Sequence, residues 1–304
     1  MARQWNFFAG DDMERSYKKR ALLERVMEYV FLAAACVSVL CVALICAFLL
    51  ANGLPAMREI GVLKFLSGTR WKPGADIYGI FPMIMGSVYV TAGALLLGVP
   101  VALLTAVYLA FFCPKGLYRV LKPAVELLAG IPSVVYGFFG IVVLVPAVRA
   151  LGERWDGSGN AMLTASILLA MMILPTIIGV VEPALRAVPT SYYEGALALG
   201  ATHERSVYTA VVPAAKSGIL AGIVLGVGRA MGETMAVIMV AGNQPRMPKG
   251  ILQGVRTLTG NIVIEMGYAT GLHREALIAT GVVLFVFILL INLCFSALKR
   301  GKKA

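Results

Sequence analysis

The sequence predicts an all-α, polytopic membrane protein with six transmembrane helices. Of its 304 residues 59% are hydrophobic and only 14% are charged, a composition that excludes an ordinary soluble domain. The charged residues lie between uncharged stretches, each close to the roughly 20 residues that a helix needs to cross a bilayer. The net charge of +11 is therefore explained by basic segments on one side of a membrane rather than by nucleic-acid binding.

The uncharged stretches define the elements in chain order. The first stretch follows a long polar segment, residues 1–28, and no convincing cleavage site follows it. We therefore interpret it as a retained anchor and not as a signal peptide. Pro132 removes a backbone donor from the third stretch and should kink that helix. The six predicted helices are residues 29–51, 83–111, 124–148, 161–181, 218–241 and 276–298.

The distribution of lysine and arginine predicts which side faces the cytoplasm. Six crossings place both termini on one side of the membrane. Sixteen of the 27 basic residues fall on that side, ten fall on the other, and Arg229 lies within a span. Because basic residues are enriched in cytoplasmic segments, both termini should be cytoplasmic. The cytoplasmic segments are then 1–28, 182–217 and the basic tail 299–304, and the larger external segments are 52–82 and 242–275.

The isolated aromatic, histidine and cysteine residues predict no site. Trp71 and Trp155 lie in external loops and are interpreted as membrane-interface anchors. His273 also lies outside the predicted spans and is interpreted as a solvated residue. The five cysteines fall within spans or at a span end, so we expect no disulfide and no metal site.

The fifth predicted span carries two charges that lipid does not accommodate. A charge at mid-bilayer costs about 3 kcal/mol on insertion scales, so Arg229 and Glu233 must face protein or water. On a continuous helix the two side chains would be about 40° apart. They would share a stripe with three glycines, which allow a neighbouring helix to approach closely. These glycines are Gly218, Gly222 and Gly226.

Two interpretations of these charges remain open. In the first, Arg229 and Glu233 form an ion pair at i,i+4 spacing that makes two buried charges tolerable. In the second, Arg229 lines an anion pathway and presents its planar fork of donors to an oxyanion. The two are compatible, because Glu233 can hold Arg229 when no anion is present.

The polar segment between the fourth and fifth spans contains the most specific pattern in the chain. Glu194, Gly195 and Ala196 are followed by Gly200 and then by Pro213. This spacing resembles the EAA loop of ATP-binding-cassette (ABC) import permeases, although Gly195 stands where alanine is usual. The resemblance implies the type I ABC importer permease fold, in which this loop forms a coupling helix that docks on a cytoplasmic ATPase. The alternative is an ordinary amphipathic loop helix.

The chain has no phosphate-binding loop of the pattern G-x-x-x-x-G-K-[ST]. Lys216 and Ser217 match the end of that pattern but lack the preceding glycine. The resemblance to ABC permeases therefore implies that ATP and Mg²⁺ bind to a separate ATPase. It also implies that this chain binds no cofactor of its own and has no catalytic residues.

Three further runs of sequence point to a narrower family. They are AGIPSVVYG at 129–137, RAVP at 186–189 with GALALGAT at 195–202, and GRAMGETMAV at 228–237 followed by Gly242-Asn243. These runs resemble the PstC-type permease subunits of phosphate importers, over about residues 77–298. The resemblance implies a PstA-like second permease, a PstB-like ATPase dimer and a PstS-like external phosphate-binding protein. It also implies a location in the bacterial plasma (inner) membrane.

The resemblance gives the charged span a substrate. Phosphate near neutral pH carries about −1.5 to −2 charge and several strong acceptor oxygens, which suit an arginine in a dry pathway. We expect Arg229 and Glu233 at the gate, with Ser133 and Tyr136 as candidate hydroxyl donors. Alternatively, each hydroxyl bonds its own or a neighbouring helix, the interpretation we prefer for Tyr136. Other functions considered are transport of another oxyanion such as phosphonate or molybdate, an ion-coupled carrier without an ATPase, and a membrane sensor.

Overall fold

The computed structural model describes residues 5–152 and 158–300. These residues are almost entirely helical, with one short hairpin in which β1 Trp71–Lys72 pairs antiparallel with β2 Ile77–Tyr78. The helices are α1 Trp5–Ile60, α2 Val62–Ser67, α3 Phe81–Val107, α4 Lys115–Gly130, α5 Ser133–Phe139, α6 Val145–Gly152, α7 Met162–Arg186, α8 Thr190–Ala198, α9 His203–Ser206, α10 Val212–Ala214, α11 Lys216–Gly232, α12 Met235–Val240, α13 Leu258–Met266 and α14 Gly271–Arg300. π-Helical turns follow α3 and join α5 to α6 and α9 to α10; they are Tyr108–Phe112, Gly140–Leu144 and Val207–Val211.

Several of these helices are long and apolar enough to cross a membrane. Within the described residues there are five such segments, and a pair of helices bent by 71° brings the number to six if the pair forms one span. The five are Leu22–Ile60, Phe81–Phe112, Ser133–Leu151, Met162–Arg186 and Gly271–Phe295, and the bent pair is His203–Ala214 with Lys216–Gly232. The prediction of an all-α, polytopic membrane protein is confirmed.

The chain divides into two compact units, residues 1–51 and 52–304. In the first unit the structure describes one uninterrupted helix from Trp5 onward, so the polar lead-in and the first predicted span, 29–51, are not separate elements. Its side chains from Leu22 onward are almost all exposed, although most are apolar. Such a surface is suited to lipid rather than to water.

Helix α7 forms the centre of the second unit, where it contacts both α3 and α11. The contact with α11 is close because glycine replaces a side chain at each turn. A Cβ added at Gly222 would lie 2.7 Å from Val181 Cγ2, and one added at Gly226 would lie 2.8 Å from Ile177 Cδ1. The close helix approach predicted from the glycine stripe is confirmed, and α7 is the neighbouring helix.

The predicted third helix, residues 124–148, is two elements rather than one. Helix α4 ends at Gly130, Ile131 is extended with φ −69° and ψ 126°, and α5 begins at Ser133. Proline disfavours helical backbone in the residue before it, which turns the expected kink at Pro132 into a complete break. The membrane crossing is the second part, and α4 is a separate helix with no buried residues.

The predicted fifth helix, residues 218–241, is also broken. Helix α11 ends at Gly232, and Glu233 is extended with φ −68° and ψ 130°. Glu233 Oε1 then accepts hydrogen bonds from the backbone N–H groups of Thr234, at 3.0 Å, and Ala236, at 3.2 Å. A carboxylate in this position caps the next helix, α12, and so stabilises the break. The angular relation expected between Arg229 and Glu233 on one continuous helix is therefore wrong.

The segments predicted as polar loops contain structure of their own. The segment after α12, predicted to be external, includes α13, and its backbone caps the beginning of α7. Ile251 and Gln253 supply the carbonyl oxygens, which accept from Leu163 and Met162, each at 2.9 Å. The predicted sixth helix, 276–298, is longer than expected, because α14 runs from Gly271 to Arg300.

Candidate functional site

Arg229 lies three residues before the end of α11 and is partly buried. Its Nε is fully buried and has no hydrogen-bond partner in the described part of the chain. Among the ion pairs formed by described residues, none joins Arg229 to Glu233. The first interpretation from sequence, an i,i+4 ion pair, is therefore not what the structure shows. The partly buried Arg229 therefore has a free Nε donor that is available for an anion.

Tyr136 lies on α5, which packs on α12, the helix that follows Arg229 and the second break. Its side chain is buried on α5, and its hydroxyl donates a 2.9 Å hydrogen bond to the carbonyl oxygen of Leu128 on α4. The hydroxyl thus spans the break at Pro132, as the preferred interpretation of bonding within the protein predicts. Ser133 is the first residue of α5 and is partly exposed beside the same break.

The two broken helices meet in the second unit. Helix α12 packs on α5, and a Cβ added at Gly137 would lie 3.2 Å from the Cα atom of Ala236. The extended residue between α11 and α12 is held from the other side by α13. There the Thr259 hydroxyl donates to the backbone carbonyl of Glu233 at 3.2 Å. The helices that follow the two breaks, α5 with Tyr136 and α12 after Glu233, therefore pack against each other.

The predicted coupling residues lie on a short exposed helix and its flanks. Glu194 and Gly195 are exposed on α8, where Ala196 is partly buried. Gly200 ends this segment with φ +84°, a conformation that glycine adopts without strain, and Pro213 is exposed in α10. Glu194, Gly195, Gly200 and Pro213 are therefore exposed within the segment between α7 and α11.

Apolar side chains on α8 and beside it are unusually exposed for a folded segment. Leu199 is 91% exposed, and Tyr192 and Tyr208 are about half exposed. The segment is held in place by His203, whose Nδ1 forms a 2.7 Å hydrogen bond with the Tyr193 hydroxyl and whose ring contacts Phe112. A rigidly held surface with exposed apolar side chains is typical of a protein interface.

One buried carboxylate near this surface was missed at the sequence level. Glu182 on α7 is only 1% exposed and accepts from Tyr118, Lys122 and Arg186 at 2.8, 2.6 and 2.8 Å. The hydrogen bond to Glu182, reinforced by burial, raises the pKa of Tyr118, so the phenol keeps the proton that it donates. The i,i+4 spacing of Glu182 and Arg186 was the available signal, but the two partners on α4 could not be found from spacing.

A second buried carboxylate, Glu265 on α13, corrects two interpretations of the external segments. It accepts 2.8 Å hydrogen bonds from Trp71 Nε1 and His273 Nε2 and forms an ion pair with Arg256. Trp71 is 5% exposed and the His273 side chain 14%, so neither is an interface anchor or a solvated residue. Trp155 lies outside the described residues.

The site contains groups that bind rather than groups that react. Within the residues that the structure describes, no cluster of three or more His, Cys, Asp or Glu side chains could hold a metal ion. Membrane helices that break around a buried, unpartnered charge mark a substrate pathway in transport proteins. The fold and the site therefore define a polytopic membrane transport protein.

The chain belongs to the family described as the binding-protein-dependent transport system inner membrane component, whose family model matches residues 98–303. Members of this family are transport permease subunits, not enzymes. The chain is therefore a multi-pass permease subunit of an inner membrane that works with a binding protein and with the ATPase of an ABC transporter.

Several relatives match nearly the whole chain. The probable ABC transporter permease protein YqgH of Bacillus subtilis is 36% identical, over 94% of this chain and 96% of that protein. The phosphate transport system permease protein PstC of Mesorhizobium japonicum is 32% identical, over 91% of this chain and 90% of that protein. PstC of Xylella fastidiosa is 34% identical, over 90% and 87%. The resemblance to PstC-type permeases is confirmed.

Solved structures confirm the fold. The MetNI methionine ABC transporter in an inward-facing conformation aligns with a TM-score of 0.54 and 21% identity, over 73% of this chain and 94% of that one. An amino acid ABC transporter aligns with a TM-score of 0.52 and 18% identity, over 73% and 92%. The type I ABC importer permease fold expected from the EAA-like loop is therefore the fold of this chain.

Proposed function

We propose that this chain is a transmembrane permease subunit of an ATP-driven importer of inorganic phosphate. The observation that carries the proposal is Arg229, whose buried Nε has no partner where two membrane helices break. Several relatives that are 31–34% identical over most of the chain bear the name phosphate transport system permease protein. An arginine with an unpartnered donor is suited to bind an oxyanion such as phosphate, which carries about −1.5 to −2 charge near neutral pH.

The side chains around Arg229 would have different roles. Ser133, partly exposed beside the break, would add a hydroxyl donor to the substrate pathway. Tyr136 would line the pathway without donating to phosphate, because its proton is committed to Leu128. Glu233 would stabilise the break through its hydrogen bonds to the beginning of α12. Its negative charge would prevent anions from binding on the far side of the break.

The exposed helix α8 would couple this pathway to ATP hydrolysis. Glu194, Gly195 and Ala196, with Gly200 and Pro213, would form the surface that docks on a PstB-like ATPase dimer. ATP and Mg²⁺ would bind to that dimer and not to this chain. The exposed apolar side chains flanking α8, Leu199 above all, support a protein partner at this surface.

The remaining partners follow from the orientation. Both termini and the coupling segment would be cytoplasmic, and the α13 side would face a PstS-like phosphate-binding protein. A PstA-like second permease would complete the pathway, since the motifs resemble one member of a pair of permeases. Purification of the intact complex with identification of every chain tests this assembly. A functional homodimer of this chain would contradict it.

Transport itself is tested in proteoliposomes that contain the purified complex, with the binding protein outside and ATP inside. Uptake of radiolabelled phosphate should require ATP and should be suppressed by unlabelled phosphate. Suppression by molybdate or a phosphonate but not by phosphate would assign a different oxyanion. Uptake by this chain without the ATPase would identify an ion-coupled carrier instead.

A further inference from the structure

The buried carboxylate of Glu182 joins three segments of the chain. It accepts from Arg186 on its own helix, α7, and from Tyr118 and Lys122 on α4. Arg186 also donates from Nη2 to the carbonyl oxygen of Leu109 at 2.7 Å, and its guanidinium lies 4.9 Å from the centre of the Tyr118 ring. All three donors are therefore organised around one carboxylate that water does not reach.

This cluster lies directly before the coupling helix. Arg186 is the last residue of α7, and α8 begins at Thr190. The short connection includes Pro189, whose fixed φ stiffens the backbone. A displacement of α8 by the ATPase would therefore be transmitted directly to the end of α7 and the Glu182 cluster.

The other side of the cluster leads to the substrate pathway. Tyr118 and Lys122 lie on α4, and the Leu128 carbonyl near the end of the same helix accepts the hydrogen bond from Tyr136. Tyr136 lies on α5, directly after the break that follows α4, and α5 packs on α12, the helix that follows Arg229 and the second break. Helix α4 has no fully buried residue; Tyr118, Leu121 and Val125 pack partly buried against the core, and the hydrogen bonds and ion pairs of the Glu182 cluster strengthen this contact.

We propose that Glu182 and its donors Tyr118 and Lys122 are positioning residues. They make α4 move together with the end of α7. Through α4, movement of the coupling helix reaches the break at Pro132 and hence Arg229. The proposal rests on the proposed function, because it concerns how that function is driven. Separating a buried carboxylate from its cationic partners is costly, so the two helices move as one body while the cluster is intact. A cluster that served only to stabilise the fold would not affect coupling.

The test removes the α4 side of the cluster and keeps the rest. The variant Tyr118→Phe with Lys122→Met leaves Glu182 paired with Arg186, so no buried carboxylate is left without a cation. Glu126→Gln is the matched control, because Glu126 is an exposed carboxylate on α4 that also contacts Lys122, at 3.7 Å. The intact complex is reconstituted with binding protein, and phosphate uptake and ATP hydrolysis are measured in the same vesicles.

In the double variant we expect ATP hydrolysis to remain stimulated by loaded binding protein, while phosphate imported per ATP falls about tenfold. Glu126→Gln should keep the wild-type ratio of phosphate imported per ATP. Lys122→Arg, which keeps a cation at this position, should keep most of that ratio. If the double variant assembles poorly, Lys122→Met alone, which leaves Glu182 two donors, should lower the ratio to an intermediate value. An unchanged ratio in assembled variant complexes would overturn the proposal, whatever their yield.

A second readout does not depend on the identity of the substrate. In a chain whose five native cysteines are replaced by alanine, Ser133→Cys reports access to the break through its rate of reaction with a polar thiol reagent. ATP should change this rate in the otherwise wild-type complex, and the double variant should lose most of the change. If the complex without the Tyr118 and Lys122 substitutions does not import phosphate but its thiol reaction rate still changes with ATP, only the assignment of phosphate as the substrate is refuted. An ATP response that survives in the double variant would refute the link.

Discussion

The substitution Arg229→Met tests whether the buried guanidinium contacts the substrate or only fills space in the fold. A buried donor without a partner costs about 1–3 kcal/mol, and the Nε of Arg229 is such a donor. Replacing it with an apolar side chain of similar length should therefore leave insertion and assembly at the wild-type level or improve them. If the guanidinium meets phosphate, loss of a preorganised donor should lower uptake by about 100-fold or more.

Three further variants define the reason for the loss. Arg229→Lys keeps the charge but not the planar fork, so uptake should recover only in part, to about a tenth of wild type. Glu233→Gln keeps an acceptor for the N–H groups of Thr234 and Ala236 and should be milder than Arg229→Met. Arg119→Met removes an exposed arginine from α4 and controls for lost positive charge.

The assay is phosphate uptake per assembled complex in proteoliposomes, with membrane levels measured separately. Normal assembly combined with lost uptake supports a substrate contact. Near-normal uptake by Arg229→Met would remove Arg229 from the pathway and leave it a structural residue. Loss of assembly would contradict the argument that the unpartnered donor is a cost to the fold.

The other predictions concern coupling and packing. Glu194→Lys on the exposed face of α8 should assemble normally but lose stimulation of ATP hydrolysis by loaded binding protein; normal stimulation and uptake would make α8 a simple connector. Gly222→Ala should lower the melting temperature of the complex by an amount equivalent to about 1–3 kcal/mol, because its Cβ would lie 2.7 Å from Val181 Cγ2, whereas Gly228→Ala, in open space, should have no such effect. Equal melting temperatures would contradict the close packing of α11 on α7. Glu265→Gln should destabilise the complex by about 3 kcal/mol, since Arg256 loses a buried ionic partner; an unchanged melting temperature would show that the external cluster does not stabilise the fold.

Features set by composition and local spacing could be predicted from the sequence. Uncharged stretches of sufficient length predicted a polytopic helical protein, because the bilayer imposes that length on any apolar crossing. The glycines of α11 predicted a close helix contact, since a missing side chain at every turn has few other uses inside a membrane protein. The motif around Glu194 predicted the family because its residues are neighbours in the chain.

The helix breaks could not be placed in the same way. A helical wheel assumes a continuous helix, and the apolar stretches resume after Ile131 and after Glu233. Proline predicted a distortion at the first break, but only the extended backbone of Ile131 shows that the helix ends there. At the second break the decisive interaction is a carboxylate turning back onto backbone donors. That interaction competes directly with an ion pair to Arg229, and sequence spacing gives no measure of which one prevails.

The two buried clusters could not be predicted because their partners are distant in sequence. Glu182 is 60 residues from Lys122, and Glu265 is 194 residues from Trp71. Residues between apolar stretches usually lie in water or at the membrane interface, and the sequence interpretations of His273 and Trp71 rest on that rule. Burial reverses the interpretation, because a carboxylate withdrawn from water must collect donors from whichever segments the fold brings near it.

The capping role of Glu233 also explains why Arg229 forms no ion pair with Glu233. If Glu233 neutralised the arginine, an entering anion would have to displace a carboxylate, and the attraction of the pathway would be largely cancelled. Because the Glu233 carboxylate accepts hydrogen bonds from the backbone at the beginning of α12, it stabilises the break without neutralising the charge of Arg229. Exchange of Glu233 between the α12 backbone and Arg229 would change both the shape of the break and the affinity of the pathway for an anion. One side chain would then link the geometry of the gate to the charge that phosphate meets there.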